Sequence, residues 1–218
     1  MTIRDWVWDK FACAGFDAAP VGVDGLAVST SSRLQPAVVV VPAPGPEVFG
    51  VPQLDAVVRD YPAVDAVLLI RRRADEAVFA AASERGIQID TFGNVTRALE
   101  EHDEMSRYQH PNERYLRSRI GQLPAVREIH RIGISAWGIE RSDGRAALKI
   151  ITHDRYEFPA SELREVLDQH PTIRPDAVVI TNPNASGLST LVVEIAQQQG
   201  VRIFLLSDFI DGLRRATI

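Results

Sequence analysis

Asp65-Ala66-Val67-Leu68-Leu69-Ile70 and Asp176-Ala177-Val178-Val179-Ile180-Thr181 read alike: an acid, an alanine, then an apolar run rich in β-branched residues. They lie 111 positions apart. Further along, Gly86-Ile87-Gln88-Ile89 is matched by Gly200-Val201-Arg202-Ile203, 114 positions on. Upstream, Val38-Val39-Val40-Val41 pairs with Leu148-Lys149-Ile150-Ile151. Short apolar runs bounded by Gly or Pro are the pattern of strands buried on both faces in a parallel sheet. A repeat at nearly constant offset predicts two similar α/β units.

Helical patterns fill the spaces between these runs. Leu188, Leu191, Val192 and Ile195 recur at i, i+3, i+4 and i+7, one face of a helix, with Ser186 placed to cap it. Its counterpart is Ala-rich, from Asp75 to Ser83, and the preceding helices are Gln53–Arg59 and Ser161–Gln169. Each unit also opens on a helix and an early strand. Arg4–Gly15 precedes Gly25-Leu26-Ala27-Val28, and Glu113–Ile129 precedes Ile134–Ile139. The alternation predicts, for each unit, a mostly parallel or mixed sheet flanked by helices, restriction-endonuclease-like or Rossmann-like in class. The polar stretch from Glu100 to Asn112 is the expected junction, giving units 1–104 and 105–218.

Hydrophobic residues make up 45% of the chain and charged residues 24%, a balance that supports folded cores. No apolar run approaches the roughly 20 residues of a spanning helix, and the N-terminus lacks the pattern of a secretory leader, so a cytoplasmic, non-membrane protein is expected. Cys13 is the one cysteine, which excludes an internal disulfide and a cysteine-based metal cluster. Charge is uneven: residues 1–109 carry 10 Lys+Arg against 16 Asp+Glu, and residues 110–218 carry 14 against 13. The stretch from Arg107 into the near-neutral second half holds Arg107, Arg114, Arg117, Arg119, Arg127 and Arg131. Such a run is either a solvated helix face or a set of phosphate contacts for DNA or RNA.

Two stretches of the second half carry a family resemblance. Ser135–Ile150 contains a strand, a turn with Glu140, Asp143 and Gly144, and a second strand bearing Lys149. Asp176–Leu213 contains a strand ending in Thr-Asn, a helix, the Gly-Val-Arg-Ile strand and Asp208-Phe209-Ile210-Asp211-Gly212-Leu213. Together they resemble the restriction-endonuclease-like PD-(D/E)XK superfamily, especially its Mrr-type members. The resemblance implies a hairpin in which one strand carries a metal-binding Asp and the next ends in an acid, any residue, and Lys. In such a site carboxylates hold Mg²⁺, which activates water, and the lysine stabilises developing charge.

Carried over position by position, Lys149 matches the motif lysine, but the acid two residues earlier is Ala147. The upstream acid falls near Ser135, and in the first half Asp24 fills that place while Val38–Val41 offers neither acid nor lysine. The resemblance therefore implies a catalytically degenerate tandem duplication, a pseudo-nuclease that binds nucleic acid or a protein partner. Arg114, Arg117, Arg119 and Arg127 would make its phosphate contacts. The alternative is a live nuclease, with Mg²⁺ as its cofactor, in which Glu140 or Asp143 stands in for the missing acid beside Lys149. Glu128, expected on the preceding helix, would be a further acid there.

Other readings come from the residues alone. The loop Thr181–Gly187 follows a strand and opens a helix, so Asn182, Asn184 and Ser186 are candidate ligands for a small anion in a Rossmann-like sensor or scaffold. Arg71-Arg72-Arg73 follows the equivalent strand of the first half and is a second candidate anion site. Lys149 within an apolar strand also fits an edge strand guarded against aggregation. His102, His110, His130, His153 and His170 show no paired metal-ligand spacing, and neither a Gly-x-Gly-x-x-Gly nor a P-loop motif occurs. Self-association remains open for the acidic first half.

Overall fold

The computed structural model describes residues 1–31, 34–102 and 104–218. The chain falls into two compact units, Met1–Gln109 and His110–Ile218.

Unit 1 begins with helix α1 (Ile3–Cys13). Thr2 caps it through a reciprocal box with Asp5, which satisfies two otherwise orphaned N–H groups. Three antiparallel strands follow: β1 (Asp17–Val21), β2 (Gly25–Ser29) and β3 (Ala37–Val40). Then α2 (Val51–Asp60) leads to β4 (Val64–Leu68), and α3 (Glu76–Glu84) leads to β5 (Gln88–Asp90), each strand parallel to the one before it. Helix α4 (Phe92–Glu101) and a short 3₁₀ turn at Met105–Arg107 complete the unit. The sheet runs β1-β2-β3-β4-β5 in chain order. Leu26, Val28, Ala37, Val39, Ala66 and Leu68 line one side, under α1 and α4.

Unit 2 repeats this plan. Helix α5 (Pro111–Ile120) precedes the antiparallel strands β6 (Val126–Arg131), β7 (Ala136–Arg141) and β8 (Leu148–His153). Helix α6 (Ala160–Gln169), β9 (Ala177–Ile180), α7 (Thr190–Gln198), β10 (Arg202–Leu205) and α8 (Leu206–Arg214) follow, with β8, β9 and β10 parallel. Trp137, Ile139, Leu148, Ile150, Ala177 and Val179 face α5 and α8. Ala136, Ile151, Val178, Ile180 and Ile203 face the other way, under α6 and α7. Both units are thus α/β, each a mixed five-stranded sheet flanked by helices.

The correspondence extends to single hydrogen bonds. The Val38 N–H donates to the Asp65 carboxylate and the Lys149 N–H to that of Asp176, both at 2.8 Å. Val41 donates to the Asp24 carbonyl and Thr152 to that of Ser135, again both at 2.8 Å. All four positions are offset by 111. Beyond the loop after β4 and β9 the offset becomes 114: Ile87 bonds to the Ala82 carbonyl as Val201 bonds to Ala196.

Several expectations need correction. The helix read over Glu113–Ile129 ends at Ile120, and the chain returns as strand β6. Gly121 and Pro124 break the helical pattern, and the β-branched Val126 and Ile129 favour the strand that follows. Each unit has one more strand than the apolar runs announced. β1 carries Pro20 and is largely exposed, so it has no buried run to read. Helix α7 starts three residues later than expected, capped by Ser189, whose hydroxyl oxygen accepts from the Val192 N–H. Leu191 consequently faces solvent, 58% exposed, and Val192 and Ala196 make the buried side. Lys149 lies on β8, third of five strands, so edge protection does not explain it.

Candidate functional site

The hairpin β7–β8 positions the residues that the sequence singled out. Its registers place Lys149 opposite Gly138, and Gly138 opposite His130 on β6. Side chains two apart on a strand share a face, so Glu140 joins Lys149, and Glu128, directly across from Glu140, joins His130. One sheet face of unit 2 therefore presents Glu128, His130, Glu140 and Lys149. Glu140, read as part of the turn, lies on β7 itself, and Glu128, expected on a helix, is brought here by the β6 strand and its register shift between Val126 and Glu128.

Gly138 is part of this arrangement. A Cβ at that position would stand 2.3 Å from His130 Nε2 and 2.5 Å from Cε1, so the imidazole lies down on the bare backbone. Only glycine leaves that space.

The carboxylates are engaged. Glu140 accepts from Arg127 at 3.2 Å, which also offsets the repulsion of two glutamates placed directly across from each other. Asp143, in the turn, is held by Arg141 through two bonds of 3.1 and 2.6 Å, and the Arg145 N–H donates to it as well. The Arg141 guanidinium beside Asp143 holds its carboxyl below the usual carboxylate range. The Arg141 side chain is 1% exposed, so this bond braces the turn rather than presenting a free acid. Among the described residues no three His, Cys, Asp or Glu side chains gather at a spacing that could hold a metal ion. The residues present thus do not fit a Mg²⁺ site of the family type.

The four arginines differ in their surroundings. Arg117 bonds to Glu113 at 2.9 Å and to the Ile129 carbonyl at 2.5 Å, with its guanidinium 6.0 Å from the centre of the Trp137 ring. Because Glu113 is buried, this pair fastens α5 to the sheet. Arg127 is the partner of Glu140. Arg114 and Arg119 are exposed on α5. Arg131, from the same run, donates to the carbonyls of Gly133 and Ile134 and so closes the β6–β7 connection.

The loop after β9 is folded on itself. Asn182 accepts from the Asn184 N–H at 2.9 Å, an Asx turn, and Ser186 donates to the Tyr156 carbonyl through both its N–H and its hydroxyl. The helix that follows is capped by Ser189, so Asn182, Asn184 and Ser186 build the loop and do not stand at the helix terminus. Beside it His153 meets Glu162 at 2.8 Å, and Arg155 meets the same carboxylate at 3.4 Å.

One further pair invites a catalytic reading. Ser135 Oγ lies 3.0 Å from His170 Nε2. Burial pushes the His170 imidazole down to about 4, so it is neutral near pH 7. Unit 1 supplies the comparison: the Tyr61 hydroxyl accepts from the Asp24 N–H at 2.9 Å at the corresponding place, after α2. A different residue pair makes the same clasp, which marks it as architecture.

Sequence reasoning missed His130 and Gly138. The available signal was the alternation Glu128-x-His130 before Ile132, a period of two rather than 3.6. Comparison of the chain with protein-family models, with curated proteins and with solved structures gives no match.

Proposed function

We propose that the protein is a restriction-endonuclease-like protein that no longer cleaves and that binds nucleic acid through its second unit. The observation that carries this reading is the hairpin β7–β8: Lys149 and Glu140 share one sheet face, but Glu140 is paired with Arg127 and the motif acid is Ala147. A lysine retained without its acids suits a phosphate contact better than hydrolysis. Exposed Arg114 and Arg119 on α5 supply further cations in the half of the chain that is not acidic. Shared hydrogen bonds at a fixed offset support descent of the two units from one duplicated ancestor.

Gel shift and cleavage assays on the same DNA and RNA, with Mg²⁺, Mn²⁺ or EDTA, test the proposal. The expected result is binding that weakens steeply with salt, with no cleavage. Charge reversal at Arg114 and Arg119, or Lys149→Ala, should weaken binding to all sequences alike. Metal-dependent cleavage abolished by Lys149→Ala would establish a live nuclease instead. No affinity for DNA or RNA at low ionic strength would rule out the nucleic-acid reading.

A further inference from the structure

We infer that unit 1 holds a phosphate group of a small ligand with Arg71 and Arg73, at the carboxyl edge of its sheet. The loops that leave the carboxyl ends of parallel strands gather along one edge of the sheet, where side chains of neighbouring loops can converge. Arg71-Arg72-Arg73 is the loop that leaves β4 there. Its middle residue is anchored: Arg72 donates to the Ala43 carbonyl at 2.9 Å, and its guanidinium lies 5.4 Å from the centre of the Phe49 ring. Backbone bonds from Phe49 to the Arg73 carbonyl and from Asp75 to the Phe49 carbonyl fix the loop against its neighbour. With Arg72 held half-buried, Arg71 and Arg73 on either side are exposed. Arg71 also adopts a left-handed backbone, φ 50°, that a side chain other than Gly, Asn or Asp seldom takes.

The charge pattern separates this cluster from an ordinary solvated surface. Elsewhere in unit 1, Arg4, Arg59, Arg85, Arg97 and Arg107 each meet a carboxylate. Among the described residues, Arg71, Arg72 and Arg73 are the arginines of this unit that meet none, although residues 1–109 carry six more acids than bases. The acid closest in sequence, Asp75, is occupied: one oxygen caps α3 through the Val78 N–H, and the other lies against Gly50. Two guanidinium groups that meet no carboxylate among the described residues, set two residues apart on a fixed loop, can each offer a planar fork of N–H donors to phosphate oxygens. Unit 2 carries Asn182-Pro183-Asn184 at the equivalent place, folded into its own Asx turn, so the site belongs to unit 1 alone. It is independent of the nucleic-acid reading of unit 2.

The full chain should be titrated with inorganic phosphate, pyrophosphate and ATP at low ionic strength, read by calorimetry and by thermal shift, with sulfate as the ionic control. Pyrophosphate and ATP are expected to bind and to raise the melting temperature more than sulfate does. Arg71→Asn with Arg73→Gln should weaken that affinity at least about tenfold, the loss of one or more charge-assisted bonds. Asn tolerates the left-handed backbone, so the melting temperature without ligand should stay put. Arg59→Gln, a paired arginine of the same unit, should leave binding intact. Absence of binding by all three phosphates, or binding that survives the double substitution, overturns the site. Loss of a single-stranded oligonucleotide in the double variant, with no binding of the small phosphates, would also overturn it and assign these arginines to a nucleic-acid surface.

Discussion

Unit 1 sets Asp17, Ala19, Ala27, Ser29 and Val38 where unit 2 sets Glu128, His130, Gly138, Glu140 and Lys149, each pair 111 positions apart. At the other end of the sheet the contrast reverses, with Arg71-Arg72-Arg73 in unit 1 and Asn182-Pro183-Asn184 in unit 2. Meanwhile the bonds that hold strands to loops are the same in both. The two units share one frame, and their chemical differences lie toward opposite ends of the sheet. The comparison teaches which residues are frame: whatever recurs at fixed offset, even with changed chemistry, is holding the fold.

The clasp after α6 offers the largest test of that distinction. His170 has a folded-state value of about 4 against 6.5 ordinarily, so the unfolded chain binds more protons between those limits. Its contribution to stability is whole above about pH 6.5 and declines as the pH falls toward 4, by an amount on the order of 2–3 kcal/mol. Denaturant midpoints between pH 7 and pH 4 should show the decline, and His170→Gln should flatten that part of the curve. A slope unchanged in His170→Gln would place the acid sensitivity elsewhere.

Next in size is the glycine beneath His130. Gly138→Ala should cost about 1–3 kcal/mol because the new methyl collides with the imidazole. His130→Ala in the same chain should recover most of that loss, and a double-mutant cycle measures the coupling. Ala27→Gly, at the matching position of unit 1, should cost only about 0.5–1 kcal/mol through backbone freedom. Equal costs at the two positions, without coupling to His130, would break the claim that the units differ here.

The smallest effect concerns the shared frame. Asp65→Asn and Asp176→Asn each exchange a charged acceptor of a backbone N–H for a neutral one, and each should cost about 1 kcal/mol in chemical denaturation. Similar values sharpen the equivalence of the units; a loss confined to one of them would show that the geometry is shared but the energetics are not.

Much of this frame was legible in the amino-acid sequence because buried parallel strands are written as continuous apolar runs. β3, β4, β8 and β9 were readable for that reason, as was the internal repeat. β1 and β6 were not. Asp17-Ala-Ala-Pro-Val lacks the run, and Val126–Arg131 alternates too briefly after a helix rich in arginine. The candidate site suffered from the same gap. Lys149 stands out as a lone cation in an apolar strand, but its neighbours depend on cross-strand register, which the β6 bulge and the length of the β7–β8 turn decide. No residue type in a single strand reports which carboxylate lies across from it. Nor could composition reveal that Arg117 and Arg127 are committed to Glu113 and Glu140, since a run of arginines does not show which carboxylate each one meets.

The first strand of each sheet has a consequence for how copies of this chain behave when crowded. An outer strand with evenly spaced N–H and C=O groups is a template on which another strand can add. β1 interrupts that template with Pro20, which has no N–H to offer. β6 interrupts it with a bulge at Val126–Glu128 and with exposed Arg127 and Glu128. The two units thus reach the same result by unrelated means: one margin of each sheet is spoiled as a seed for fibrous growth, and replacing Pro20 by valine would remove that safeguard from the first.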